Sequence, residues 1–164
     1  MKTALPSPTG PIFELDDKLM AHGIEASRQS PRGRIILPIH RQQEALVQRM
    51  LNFLQPGTYV QPHWHPRSFA SETIFVMQGR IGFAVYDDVE NLLSTHDLKA
   101  GALIDIEPNI QHGLVCLESD TVILEIKRGP FDTEEDKVFA SWAPSEDDGV
   151  AAAQFREELE SQFS

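Results

Sequence analysis

Apolar residues recur along this chain with two different periods. Between Ile12 and about Ser30, Leu15, Leu19 and Ala26 form a stripe at helical spacing, and Pro31 and Gly33 stop it. Arg34 to Ile39 reads as a short strand, with Pro38 favouring a sheet edge. From Ala45 onward the pattern becomes a series of short apolar runs: 47–54, 73–77, 80–86, 92–98, 102–106, 112–117 and 121–127. Gln55-Pro56-Gly57, Gly79, Asp87-Asp88 and Lys99-Ala100-Gly101 separate them. Turn residues at such short intervals predict a mainly β chain, an antiparallel barrel or sandwich. Gly129-Pro130 ends the series. Beyond it, Phe139 to Pro144 is an apolar-aromatic stretch expected to pack across the barrel. Asp147 or Asp148 is placed to cap a last helix with Val150, Ala151, Phe155 and Leu159 on one stripe.

These patterns predict one domain with terminal additions. The expected division is a flexible tail over 1–11, an N-terminal helix over 12–32, a barrel over 33–130 and a C-terminal extension with a helix over 131–164, packed on the barrel. A chain of 164 residues is long enough to bury a sizeable core.

Charge narrows the range of partners. Fourteen basic and 25 acidic side chains leave a formal charge of −11, which argues against nucleic acid and against an anionic membrane surface. Much of the acidity falls within residues 132–160, where it reads as a solvated face. A single cysteine, Cys116, rules out an internal disulfide and fits a reducing cytoplasm. Residues 1–11 carry no apolar run, so neither a signal peptide nor a membrane span is expected there.

The chemistry concentrates in His63, His65, Glu72 and His112. Two histidines at i and i+2 on an extended segment point to the same side, with Trp64 pointing away. A carboxylate from a neighbouring strand and a third imidazole can close a cage around one divalent transition metal such as Fe, Mn, Ni or Zn. Taken alone, a His-x-His pair is a weak signal, and two exposed loop histidines between Pro62 and Pro66 are the plainer reading. Arg49, Tyr59, Phe83 and Lys127 are candidates to line a barrel mouth and bind an anionic or hydroxylated ligand, or else to serve packing alone. Cys116, four residues after His112, shares its strand face and reads as a small buried hydrophobe. His22, His40 and His96 have no partner pattern and are expected at the surface.

The spacing around these residues resembles the two signature motifs of the cupin superfamily. Gly57, His63, His65, Glu72 and Gly79 match the first, with a gap of six residues (66–71) between His65 and Glu72 where three or four are usual. That gap leaves two ligand sets open, all four residues or the three histidines alone. Gly101 and His112 keep the separation of the second motif, while Pro108 is displaced by one position and Cys116 replaces an asparagine. More narrowly, the long gap, the approach from Val47-Gln48-Arg49 to Gly57-Thr58-Tyr59-Val60, the run Leu124-Glu125-Ile126-Lys127 before Gly129-Pro130-Phe131, and Trp142-Ala143-Pro144 look like the WbuC-type cupin-fold metalloproteins. This resemblance runs from the first helix to Pro144. It implies a bacterial jelly-roll barrel around one metal, an association with surface-polysaccharide biosynthesis, and a homodimer.

Three functions fit these residues. The first is a metal-dependent enzyme, an isomerase or oxygenase, acting on a small polar substrate such as a sugar or nucleotide sugar. The second is a non-catalytic module that binds or senses a small ligand. The third is a metal-stabilised structural protein. No DNA-binding helix-turn-helix pattern accompanies the barrel, and no acid–base pair is visible that would assign a reaction.

Overall fold

Both α-helices among the described residues begin on an aspartate. The computed structural model describes residues 3–163. Asp16 accepts the Leu19 amide at 2.8 Å and starts α1 (Asp17–Gln29); Asp148 accepts the Ala151 amide and starts α2 (Gly149–Glu160). The first helix therefore starts later than its apolar stripe suggested. Phe13 and Leu15 reach the core from irregular chain before the cap. Residues expected to form a flexible tail are tied to the fold. Thr3 and Leu5 bond to Ile36, and Leu5 is buried. Met1 and Lys2, also placed in that tail, lie outside the described residues.

Between the helices run ten strands: β1 (Arg34–Pro38), β2 (Val47–Leu54), β3 (Tyr59–Trp64), β4 (Glu72–Gln78), β5 (Arg80–Tyr86), β6 (Leu92–Lys99), β7 (Leu103–Ile106), β8 (Gln111–Cys116), β9 (Thr121–Arg128) and β10 (Val138–Phe139). They pair antiparallel in two five-stranded sheets, β1-β2-β9-β4-β7 and β10-β3-β8-β5-β6. The fold is thus the expected mainly β sandwich with a helix near each end. Pro38 lies on an edge strand, where its missing N–H costs no ladder bond. Gly79 turns β4 into β5 at φ 78°, and a Cβ there would sit 2.8 Å from the Thr121 Cα, so glycine is required.

The sheets pack face to face over Leu54, Ile74, Val76, Ile81, Phe83, Leu114 and Ile123. Outside the first sheet α1 covers Phe53, which is fully buried against Gly23. Outside the second sheet α2 lays Phe155 and Leu159 over Ala84, Tyr86 and Val115. The stripe of α2 is Ala152, Phe155 and Leu159; Val150, expected on it, is 74% exposed. His40, expected at the surface, is buried, and its Nδ1 lies 2.9 Å from the Arg49 carbonyl and 3.1 Å from the Arg49 amide. Among the described residues no helix is long and apolar enough to cross a membrane.

Candidate metal centre

Alternation brings the candidate ligands together. His63 is in β3 and His65 follows its end, so both face inward while Trp64 faces out. The β3–β8 register is irregular between Val60 and His63, and it sets His63 directly opposite His112. Glu72 begins β4 in the other sheet. One ligand atom from each of His63, His65 and His112 lies within 4.8 Å of the other two. Glu72 Oε2 stands 3.2 Å from His65 Nε2 and 3.3 Å from His112 Nε2. All four side chains are buried.

Hydrogen bonds fix the tautomers. The Nδ1 atoms of His63, His65 and His112 lie 2.9, 2.5 and 2.9 Å from the backbone carbonyls of Gln61, Asp136 and Ile110. A carbonyl oxygen only accepts, so each Nδ1 carries a proton and each ring turns its Nε2 inward. Burial and then the neighbouring His112 hold His63 well below its usual pKa, which keeps it neutral. The carboxylate of Glu72 adds another acceptor. Neither His65 Nε2 nor Glu72 Oε2 has a hydrogen-bond partner among the described residues. Buried polar atoms left without a partner, as His65 Nε2 and Glu72 Oε2 are, are costly. A divalent cation relieves this, and a set of imidazoles with one carboxylate suits a borderline transition metal. The residues therefore fit the ion.

The centre opens onto a cavity of about 450 Å³ between the sheets. On the inner face of the first sheet, Gln48 and Glu72 flank Lys127, and Met50 and Ile74 flank Glu125. Asn52 Nδ2 donates to Glu125 Oε2 at 2.9 Å. Burial, then the charge of Glu72, push the Glu125 carboxyl up to about 7. Lys127 is buried, and its ammonium contacts the Asp136 carboxylate at 2.6 Å. Burial alone would lower its pKa, but Glu125 and Asp136 outweigh that and raise it. At another part of the wall Glu146 accepts from Arg32 and Arg34 at 2.7–2.8 Å.

Of the four residues proposed for the barrel mouth, Lys127 lies on this cavity wall. Arg49 is exposed on the opposite face of β2. Tyr59 points toward α2, donating to the Pro144 carbonyl at 2.7 Å and meeting the Phe155 ring. Phe83 is sealed in the core and stacks on His112 at 5.4 Å. Cys116 is a buried core residue whose thiol donates to the Glu118 carbonyl, and burial pushes its pKa up. Sequence reasoning missed Asn52, Glu125 and Asp136. Alternation outward from Lys127 would have found Glu125; nothing local marks Asp136 within its acidic run.

A family model described as a domain of unknown function (DUF6016) matches residues 15–98, just over half of the chain. No curated protein matches the sequence. Among solved structures, the chain is similar to CapF bound to an inhibitor, with TM-score 0.55, 18% identity and coverage of 63% of this chain and 31% of that one. It is similar to KdgF from Halomonas sp., with TM-score 0.51, 18% identity, and coverage of 65% and 87%. It is also similar to oxalate decarboxylase from Bacillus subtilis, with TM-score 0.52, 19% identity, and coverage of 77% and 33%. The chain thus spans about a third of the CapF and oxalate decarboxylase chains. At these identities the likeness is one of fold, and that fold is the cupin fold.

Proposed function

The chain belongs to the DUF6016 family, a domain of unknown function, and we propose from the site itself that it is a metal-dependent enzyme acting on a small polar substrate. The observation that carries this reading is the cluster of three inward imidazoles and one carboxylate, with His65 Nε2 and Glu72 Oε2 unpartnered, at the wall of a cavity of about 450 Å³. A structural zinc site is closed by its protein ligands, whereas a catalytic one keeps a position open beside a cavity. His63, His65 and His112 would hold the metal, with Glu72 as fourth ligand from the opposite sheet. When bound, such an ion supplies Lewis acidity and a more acidic water. The chain's own residues do the rest. The three carbonyls orient the imidazoles, and Phe83 fixes the plane of His112. Asn52, Glu125 and Lys127 place polar groups that hydroxyl groups can bond on the cavity wall.

That wall supports a sugar or the sugar end of a nucleotide sugar as substrate. The WbuC-like stretches of sequence point the same way, toward surface-polysaccharide metabolism. A cytoplasmic homodimer belongs to the same reading, supported by the buried free Cys116 and by exposed Leu93 and Leu103 on the edge strands β6 and β7. Elemental analysis of purified protein tests the centre: about one transition-metal ion per chain is expected, and none in His63→Ala or His112→Ala. Metal retained in full by both variants sinks the assignment. Turnover is tested by following sugar nucleotides with metal-loaded protein by NMR. Tight binding without conversion would replace the enzyme by a ligand-sensing module.

A further inference from the structure

Two of the three histidines are oriented from within their own segments. His63 bonds to the carbonyl two residues before it, and so does His112. His65 does not. Its Nδ1 reaches the carbonyl of Asp136, 71 residues further along the chain. Asp136 lies in an irregular strap, residues 130–137, between β9 and β10. The same residue reaches the cavity wall with its side chain, where its carboxylate contacts buried Lys127 at 2.6 Å. Lys127 is in turn the register partner of Glu72. A further tie comes from Arg67, two residues after His65, whose guanidinium donates to the Pro130 carbonyl and pairs with Asp132 and Glu135. Phe131, Asp136 and Lys137 of the strap line the cavity.

Resting on the metal reading above, we propose that Asp136 is a positioning residue of the metal centre, and that the strap carrying it is closed by metal binding. The coupling follows from the hydrogen bond. With the strap docked, the His65 proton is held on Nδ1 and the Nε2 lone pair faces the centre. With the strap open, His65 has lost the acceptor that selects this tautomer and ring angle. Metal binding requires the docked arrangement, so the ion and the strap stabilise each other. The ion–strap coupling makes the segment that walls the cavity responsive to whether the centre is loaded.

A Glu-specific protease reads the strap directly, because Glu134 and Glu135 are exposed within it. Full-length wild-type protein is digested with and without Zn²⁺, and zinc is expected to slow cleavage at these two residues by about tenfold or more. A Lys127→Met variant then separates positioning from electrostatics. Removing a positive charge beside the site should tighten divalent-ion binding if charge alone matters. Loss of the strap anchor should instead weaken Zn²⁺ binding by about tenfold, with Lys127→Arg restoring most of it. Histidine ¹⁵N spectra should show the His65 proton pattern becoming mixed in Lys127→Met and staying on Nδ1 in the wild type. Unchanged cleavage on zinc binding, or wild-type or tighter zinc affinity in Lys127→Met, overturns the proposal and leaves the metal centre standing. Wild-type protein that binds no metal overturns both. The protease comparison needs no variant and stands even if Lys127→Met fails to fold.

Discussion

Glu72 Oε2 lies 3.2 Å from His65 Nε2, and the two atoms do not hydrogen-bond. They belong to opposite sides of the sandwich, and with a single proton on His65, at Nδ1, one acceptor faces another. Replacing Glu72 by Gln changes an acceptor into a donor of nearly the same shape. The Gln amide can then donate to the bare Nε2 of His65 or His112. We expect Glu72→Gln to stabilise the metal-free protein by about 1 kcal/mol, by relieving a buried unsatisfied pair. The same variant should bind Zn²⁺ at least tenfold more weakly, since it loses the ligand charge. Urea melts with chelator present, and zinc titration, measure the two effects. A destabilised metal-free variant would contradict the acceptor-only picture of the centre.

Gly23 is the contact point of α1 on the first sheet. A Cβ there would lie 2.2–2.5 Å from the ring of Phe53, which is fully buried. The ring cannot retreat, because Ile35, Leu51 and Val122 belong to the same packed cluster. Helix propensity favours Ala over Gly by about 1 kcal/mol, but overpacking costs about 1–3 kcal/mol, so the clash should win. Gly23→Ala is expected to be destabilised in urea, and Phe53→Ala by about 3–5 kcal/mol. In the double variant the smaller side chain should absorb the added methyl group, so the two costs should fall short of additive.

How far the sequence foretold this arrangement depends on how local each signal was. The inward pair of His63 and His65 was legible because a strand alternates. The glycine after β4 was legible because only a left-handed turn joins those strands so tightly. The side of Arg49 was not. In β2, Leu51 and Phe53 face α1 while Met50 and Leu54 face the other sheet, so both faces are apolar and the period of two is hidden. Tyr59 and Phe83 failed as cavity residues for a related reason, since the second sheet is covered by α2 on one face and filled by core on the other. Asp136 was read as part of a solvated acidic stretch. Its partners, His65 just past β3 and Lys127 in β9, lie 71 and nine residues away, and only folding brings them together.

Glu146 ties the chain before α2 to β1 and the segment ahead of it. Burial raises the cost of its charge, but hydrogen bonds from Arg32 and the charge and hydrogen bonds of Arg34 outweigh this and hold its carboxyl below the usual range. A depressed native pKa means stability that is full above the unfolded value and lost as pH falls through the native one. Glu146 is about a third exposed, so solvent screening limits its contribution to about 1 kcal/mol. Glu146→Gln should therefore be less stable than wild type by about that amount at pH 7. The gap should narrow only below about pH 4, the ordinary glutamate range. Urea midpoints of both proteins between pH 7 and pH 3 check this. A gap that stays constant to pH 3 would mean that the carboxylate charge plays no part.

Metal removal should act on stability through the same four residues. The unpartnered buried atoms of His65 and Glu72 cost the folded apo protein free energy, and a bound ion both removes that cost and adds its own binding energy. Zn²⁺ at a hundredfold excess over its dissociation constant stabilises the native state by about 2.7 kcal/mol if the unfolded chain does not bind it. For a domain of this size that corresponds to a rise in melting temperature of about 5–10 °C. Chelator should reverse the rise without unfolding the protein, because the apolar core of Phe83, Ile74 and Ile123 and the two helix-covered faces do not depend on the ion. His112→Ala should show no zinc-dependent shift at all, since it removes the strand partner of His63 and one third of the imidazole set. Unfolding on chelation would instead place the ion among the groups that hold the fold together, and would favour a metal-stabilised structural protein over an enzyme.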